Sequence, residues 1–121
     1  MHLLFVCVGN SCRSQMAEGL ARSMGHIADS AGTHPASSTI ASNAQKYLES
    51  RGISTEGMTP KSVDNFSAED YDLVISMGCG VKCPSMKIDE DWGIEDPYGQ
   101  QYEVYKTTAE EIERRLKLLE Q

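Results

Sequence analysis

A cysteine and an arginine separated by five residues lie near the start of the chain, in the segment CVGNSCRSQ from Cys7 to Gln15. A thiolate is a nucleophile, and a guanidinium can bind a tetrahedral oxyanion through two parallel hydrogen bonds. The residues between the two include Gly9, Asn10 and Ser11, which favour a turn whose backbone N–H groups point to one centre. The spacing therefore predicts an oxyanion-binding loop above a nucleophilic sulfur.

Three features of this segment favour the thiolate of Cys7 over the thiol. They are the backbone N–H groups of the turn, the positive end of the helix that follows, and the guanidinium of Arg13. Ser14 adds a hydroxyl donor for the sulfur. The alternative interpretation is a buried cysteine at the end of a strand, with Arg13 on the surface by chance.

The composition limits the classes of function. A chain of 121 residues, 40% hydrophobic and 24% charged, predicts one domain over residues 1–121 with its own core. The net charge of −7 argues against nucleic acid or an acidic membrane surface as a partner. The apolar run from Leu3 to Val8 is too short to span a membrane and lacks the features of an export signal, so we expect a cytoplasmic protein. In that compartment the four cysteines are expected to serve chemistry or metal binding rather than structural disulfides.

The first half of the chain alternates between strand and helix patterns. Residues 2–6 are apolar without alternation, which is typical of a strand covered on both faces. A helical pattern follows the cysteine segment and is expected to end at Gly25. Residues 26–30 indicate a weaker second strand, and residues 39–51 a second helix capped by Ser38. This order is typical of a doubly wound parallel sheet.

The second half adds the remaining elements. Residues 53–70 are polar and predict a long connection, whereas residues 71–77 predict an interior strand. A short run near residues 86–88 indicates a last strand, and apolar residues at helical spacing over 105–119 predict a closing amphipathic helix. We therefore predict a single α/β domain, a short parallel sheet of about four strands with helices on both faces. Ligands of such sheets bind at the carboxyl ends of the strands, where Cys7 lies.

Five segments of the chain form a recognisable pattern. They are CVGNSCRSQMAEGLA at 7–21, SAGT at 30–33, PKSVD at 60–64, MGCGVKCP at 77–84 and DWGIEDPYG at 91–99. In this order the pattern resembles the arsenate reductases built on the low-molecular-weight protein tyrosine phosphatase fold. The first segment alone also fits a phosphatase, and the pair of cysteines after the third strand pattern favours the reductase. The resemblance implies the phosphatase-like fold and a thiol-dependent reduction of arsenate to arsenite.

The resemblance also implies roles for single residues. Cys7 corresponds to the nucleophile that attacks arsenate. The residues implied to bind the oxyanion are Val8, Gly9, Asn10, Ser11, Cys12, Arg13 and Ser14. Asp96 corresponds to the general acid, and Pro97 favours an extended conformation at Asp96 that can aim its carboxyl at the loop. By itself the Asp-Pro pair is equally a common start of a turn.

Cys79 and Cys83 are separated by three residues in a glycine-containing loop. Their spacing leaves half of a zinc site and a redox pair as alternatives, although no second pair of Cys or His follows. The resemblance implies that Cys79 attacks the arsenate adduct of Cys7, that arsenite leaves, and that a Cys7–Cys79 disulfide forms. Cys83 then attacks Cys79 to give a Cys79–Cys83 disulfide. The implied external reductant is a thioredoxin-like dithiol or a low-molecular-weight thiol.

Two further assignments concern residues near the loop. Cys12 is interpreted as a small apolar filler, the alternative being a protective disulfide with Cys7. The resemblance to some members of the family also implies a potassium site. Its candidate ligands are Asn10, Glu18, Ser30 and Asp64. No other metal and no tightly bound cofactor are expected.

Two alternatives to the reductase stay open on the sequence. A phosphatase acting on phosphotyrosine or a small phosphate monoester needs Cys7, Arg13 and Asp96 but neither Cys79 nor Cys83. A non-enzymatic oxyanion or metal sensor would use the same thiols without turnover. For the reductase we expect arsenate or phosphate as ligand, a thioredoxin-like partner, neither nucleic acid nor membrane, and a monomer.

Overall fold

The computed structural model describes residues 1–35, 37–78 and 86–119. Its elements in chain order are β1 (His2–Cys7), α1 (Arg13–Ser23), β2 (Ile27–Gly32), α2 (Ser42–Ser50), β3 (Leu73–Ser76), β4 (Glu90–Asp91) and α3 (Tyr102–Leu119). Two short 3₁₀ helices, Val63–Asn65 and Ala68–Asp70, lie between α2 and β3. The predicted α/β fold with a short parallel sheet is confirmed.

The four strands form one parallel sheet in the order β2-β1-β3-β4. The central strand β1 pairs with β2 up to Cys7↔Gly32 and with β3 up to Val6↔Ser76. Both of its faces are covered, so five consecutive side chains of β1 are buried, as the unbroken apolar run predicts. Because parallel strands end at the same edge, Cys7 emerges beside the ends of β2 and β3.

Side chains of β1 point alternately into two apolar clusters. Leu3, Phe5 and Cys7 join the cluster to which all three α-helices contribute. Leu4 and Val6 join a smaller cluster with residues of the first 3₁₀ helix and of β2 and β3. Helices therefore cover both faces of the sheet, with the α-helices on one face and a 3₁₀ helix on the other.

The structure corrects the position of the last strand. It was predicted near residues 86–88, but β4 is Glu90–Asp91, which pairs with Ile75 and Ser76 of β3. Met86 and Ile88 are partly buried against the smaller cluster, so their apolar pattern reflects packing rather than strand pairing. Both side chains of β4 are exposed at the sheet edge, and no hydrophobic pattern marks them.

The second helix also begins later than predicted, at Ser42 rather than near residue 39. Ser38 is not its cap, because the residue before the helix is Ala41 and no side chain caps it. The backbone N–H of Ala41 instead donates to the carbonyl of Ser11 at 2.8 Å. This bond ties the start of α2 to the loop that follows β1.

The closing helix α3 is amphipathic, as predicted. Its buried face consists of Tyr105, Thr108, Ala109, Ile112 and Leu116. On its charged face Glu111 pairs with Arg115 at 3.1 Å, whereas Glu113 pairs at 2.7 Å with Arg51 after α2. In the part of the chain that the structure describes, neither this helix nor any other is long and apolar enough to cross a membrane.

Candidate active site

The loop of residues 8–12 joins β1 to α1 and curls around the sulfur of Cys7. Asn10 is completely buried and has a φ of +53°, in the left-handed region that asparagine tolerates better than most residues. In this conformation its backbone N–H points at Cys7 Sγ, with a distance of 3.2 Å from nitrogen to sulfur. The predicted loop above the sulfur is therefore present, with Asn10 at its turn.

A second donor reaches the sulfur from the first turn of α1. Ser14 Oγ lies 2.9 Å from Cys7 Sγ, and the Asn10 side-chain amide donates to the same Oγ at 2.7 Å. With the Asn10 amide donating to Ser14 Oγ, the Ser14 hydroxyl still has its own hydrogen to donate to a thiolate at Cys7. Cys7 Sγ thus lies within hydrogen-bond distance of the Asn10 N–H and the Ser14 hydroxyl.

The segment after β2 holds the loop from the side. The N–H groups of Thr33 and His34 donate to the carbonyls of Cys7 and Val8 at 3.0 and 2.8 Å. A Cβ atom at Gly32 would lie 2.6 Å from the Val8 carbonyl oxygen and 3.0 Å from the Asn10 nitrogen. The glycine of the SAGT segment is thus required by the close approach of two backbones.

Arg13 links the loop to two other parts of the chain. It is only 6% exposed, and its Nη1 donates to the carbonyls of Met77 and Ile94 at 3.0 and 2.8 Å. Its Nη2 lies 3.7 Å from Asp96 Oδ2. The two carbonyl bonds fix the direction of the guanidinium, which is therefore positioned before any oxyanion binds.

Asp96 fulfils the turn-starting role that the Asp-Pro pair indicates. Its Oδ1 accepts the N–H of Tyr98 across Pro97 at 3.0 Å. The other oxygen faces Arg13, and the side chain is 52% exposed. Asp96 therefore both starts a turn and places a carboxyl oxygen beside Arg13.

A cavity of about 360 Å³ opens above the loop. Its lining consists of Cys7, Val8, Gly9, Asn10, Ser11, Cys12, Arg13, His34, Ser37, Asp96 and Tyr98. Among the described residues predicted for arsenate chemistry, Ser14 alone is absent from the lining, because it is completely buried and bonded to the sulfur. Three lining residues, His34, Ser37 and Tyr98, are not predicted by the sequence motifs. His34 follows β2 and Tyr98 follows the Asp-Pro pair, so proximity to those motifs was the available signal.

A larger cavity of about 610 Å³ lies between residues 92–96 and α3. It shares Asp96 with the smaller cavity, and the described residues that line it include no cysteine. Of the two cavities, the smaller is therefore the one that Cys7 lines.

Comparison with known proteins places this geometry in a family. The sequence pattern of the family described as low molecular weight phosphotyrosine protein phosphatase matches residues 2–121. The chain belongs to this family. It is 42% identical to the glutaredoxin arsenate reductase of Synechocystis sp., covering 97% of this chain and 94% of that protein. It is 32% identical to the arsenate reductase of Staphylococcus aureus strain Newman, covering 91% and 88%.

A solved structure of an arsenate reductase in the phosphate binding state has the same fold. Its TM-score to this chain is 0.86 at 40% sequence identity, and the match covers 98% of this chain and 95% of that one. The predicted family is confirmed, and within it these relatives favour arsenate reduction over the phosphatase alternative.

Cys12, the last residue of the loop, has different surroundings from Cys7. Cys12 is 3% exposed, and its Sγ lies 3.6 Å from Ser11 Oγ and 3.8 Å from the Tyr105 hydroxyl. Burial raises the pKa of the Cys12 thiol above its ordinary value, and the two hydroxyl contacts only partly oppose this rise. These contacts agree with a small buried filler against α3.

Cys79 and Cys83, the predicted redox pair, lie outside the described residues. Within the described ranges, Cys7 and Cys12 are free thiols. The same ranges contain no group of three or more His, Cys, Asp or Glu side chains that could hold a metal ion.

Three of the four potassium candidates of the family pattern lie in one buried network. Ser30 donates to Glu18 at 2.7 Å, and Lys61 connects this pair to Asn10. Asp64 is exposed and lies in the first 3₁₀ helix, where its backbone N–H bonds to Ser62. The network was not predicted as such, because Lys61 is distant in sequence from the residues it joins.

Proposed function

We propose that this chain reduces arsenate to arsenite with Cys7 as the nucleophile. The observation that supports this most is the position of the Cys7 sulfur, which lies beside the Asn10 N–H and the Ser14 hydroxyl at the base of a cavity of about 360 Å³. Loop N–H groups and the Arg13 guanidinium are the natural ligands of a tetrahedral oxyanion in that cavity. The relatives named arsenate reductase support arsenate as the oxyanion.

In the first step the Cys7 thiolate attacks arsenic, a sulfur–arsenic bond forms, and one oxygen leaves as water. The leaving oxygen needs a proton, and we assign its donation to Asp96, which lines the same cavity. Arg13 lies beside this carboxyl and stays with the oxyanion through the step. No electrons have reached arsenic at this stage.

The second step needs another thiol. A thiolate attacks the Cys7 sulfur, a disulfide forms, the sulfur–arsenic bond breaks, and its electron pair stays on arsenic, which leaves as arsenite. We assign this thiol to Cys79 and the next exchange to Cys83, on the sequence resemblance alone. The final Cys79–Cys83 disulfide returns to two thiols when an external dithiol, or two molecules of a monothiol, is oxidised to a disulfide.

The external reductant is part of the proposal. One relative is named a glutaredoxin arsenate reductase, which supports a thiol-dependent partner for this chain. Either one thioredoxin-like dithiol or two molecules of a low-molecular-weight thiol can supply the two electrons. Thiol chemistry of this kind requires a reducing compartment, and we propose a cytoplasmic monomer formed by the single domain.

The phosphatase alternative differs in one requirement. Hydrolysis of a phosphate monoester through a Cys7-phosphate intermediate would use Cys7, Arg13 and Asp96, all of which line or border the cavity. It would need neither Cys79 nor Cys83. The two activities are therefore separable by mutation.

The test compares wild type with the Cys79→Ser and Cys83→Ser variants, and with Cys12→Ser as a matched cysteine control. Arsenite release is measured with glutathione and glutaredoxin or with thioredoxin and its reductase, beside hydrolysis of p-nitrophenyl phosphate. We expect arsenate turnover in wild type and Cys12→Ser, and its loss in Cys79→Ser. Ester hydrolysis unaffected by Cys79→Ser, together with no arsenite from wild type, would identify a phosphatase instead.

A further inference from the structure

Lys61 connects the active-site loop to a buried carboxylate. Its backbone N–H donates to Asn10 Oδ1 at 2.8 Å, and its carbonyl accepts the N–H of Gly32 at 2.7 Å. Its Nζ lies 3.7 Å from Glu18 Oε1 and donates to the Thr59 carbonyl at 3.1 Å. One residue thus contacts the turn of the loop, the end of β2 and the first helix.

The carboxylate it meets is almost completely buried. Glu18 is 2% exposed, accepts the Ser30 hydroxyl at 2.7 Å and pairs through Oε2 with Arg22 Nη1 at 3.0 Å. A carboxylate withdrawn from water needs opposite charge and hydrogen-bond donors. Both oxygens of Glu18 have such partners, since Lys61 and Ser30 face one and Arg22 faces the other.

The potassium site implied by the family pattern does not fit these contacts. A potassium ion takes oxygen ligands, but Asn10 Oδ1 already accepts two N–H groups, from Lys61 at 2.8 Å and from Gln15 at 3.1 Å. The fourth candidate, Asp64, makes no side-chain hydrogen bond or ion pair with the other three in the described part of the chain. A bound cation would also bring a third positive group to one carboxylate, next to Lys61 and Arg22.

We propose that the Lys61 ammonium takes the place of a monovalent cation as a positioning residue for the active-site loop. The ammonium neutralises Glu18, which anchors residue 61, and the backbone N–H of residue 61 then holds Asn10. Asn10 in turn directs its backbone N–H to the Cys7 sulfur and its amide to Ser14. The expected effect of Lys61 on arsenate turnover rests on the proposed function, whereas its expected effect on the reactivity of Cys7 does not.

The test uses Lys61→Met, which keeps the length and removes the charge, and Lys61→Arg, which keeps the charge. Lys106→Met, at an exposed position of α3, is the matched control. We expect kcat/KM of wild type with arsenate to agree within about twofold between KCl and NaCl at equal ionic strength. We expect kcat/KM of Lys61→Met to be about tenfold lower than that of wild type. We expect kcat/KM of Lys61→Arg to lie within about threefold of wild type, and that of the control to match wild type.

A second readout needs no arsenate. The rate of alkylation of Cys7 by iodoacetamide, followed by peptide mass spectrometry, is expected to fall severalfold in Lys61→Met and to recover in Lys61→Arg. If Lys61→Met fails to fold because Glu18 is left short of a partner, the double variant Glu18→Gln/Lys61→Met removes both charges. It is expected to fold and to show the same slow alkylation.

Three results would overturn the proposal. The first is a wild-type kcat/KM that is several times higher in KCl than in NaCl. The second is a Lys61→Met variant whose Cys7 is alkylated as fast as in wild type. The third is an equal loss of kcat/KM in Lys61→Met and Lys61→Arg. Absence of arsenate turnover in every variant, with the alkylation pattern intact, would overturn the proposed function and leave the role of Lys61 supported.

Discussion

Cys7 and Cys12 stand at the two ends of one loop, and each is 3% exposed, yet their surroundings differ in kind. Cys7 receives a backbone N–H at 3.2 Å and a serine hydroxyl at 2.9 Å. The contacts of Cys12 with the hydroxyls of Ser11 and Tyr105 are longer, at 3.6 and 3.8 Å. Equal burial therefore does not make the two sulfurs equivalent, and the hydrogen-bond donors beside Cys7 Sγ distinguish it from Cys12 Sγ.

The Cys12 side of the loop favours the protonated state of both partners. Burial raises the pKa of the Cys12 thiol, and burial together with the contact to Cys12 raises the pKa of the Tyr105 hydroxyl. The nearby Asp96 carboxylate raises the pKa of both groups further. We therefore expect Cys12 to stay protonated against α3 and not to compete with Cys7 as a nucleophile.

The largest expected effect separates the two cysteines directly. Cys7→Ser is expected to lower arsenate turnover at least about 10³-fold, because the reacting atom is lost. Cys12→Ser keeps the loop and is expected to stay within about threefold of wild type. Steady-state arsenite release with one reductant measures both variants. Similar losses of arsenate turnover in Cys7→Ser and Cys12→Ser would contradict the difference between the two cysteines.

The next effect concerns proton donation. Asp96→Asn keeps an oxygen for the Tyr98 N–H but has no acidic proton, so kcat is expected to fall about 10²-fold. Glu95→Gln, at the exposed neighbouring position, is the control and is expected to keep its rate. An Asp96→Asn variant with the rate and pH profile of wild type would remove this residue from the mechanism.

A smaller effect is expected from the hydroxyl on the sulfur. Ser14→Ala removes one of the two donors to Cys7 Sγ and is expected to slow both arsenate turnover and alkylation of Cys7 about tenfold. Ser23→Ala, at the other end of α1, is the matched control. Equal rates for Ser14→Ala and wild type would show that the hydroxyl does not act on the sulfur.

The smallest effect is a pH dependence of stability at Cys12. Because its pKa is higher in the folded chain than in the unfolded one, the contribution of Cys12 is fully present below the unfolded value of about 8.5 and is lost as pH rises through the folded value. The free energy of unfolding of wild type should fall faster than that of Cys12→Ser above about pH 9, by at most ~1.4 kcal/mol per pH unit. Urea unfolding from pH 7 to 10.5 measures this, and parallel curves would contradict the assignment.

The sequence predicts the nucleophilic loop well because its chemistry is local. Cys7, Asn10 and Ser14 lie within eight residues at a strand-to-helix turn, and the bonds among them stay inside that segment. The pattern of β1 likewise reflects burial on both faces of the sheet. Local spacing and periodicity therefore suffice for this part of the fold.

The parts that the sequence did not predict depend on distant contacts. The edge strand β4 has exposed acidic side chains and is defined by its pairing with β3. Lys61 has the type and position of an ordinary loop lysine, and its role appears only when Asn10 and Glu18 meet it in space. Tyr98 borders the cavity because Asp96 starts a turn there.

The most direct test of the central claim is to trap the first disulfide. Reduced Cys83→Ser is mixed with arsenate in the absence of any external thiol, quenched with acid and mapped by mass spectrometry, while released arsenite is counted. The account predicts about one arsenite per chain and a peptide pair linked through Cys7 and Cys79. A disulfide that contains Cys12 in place of Cys7, or arsenite release with all thiols intact, would contradict it.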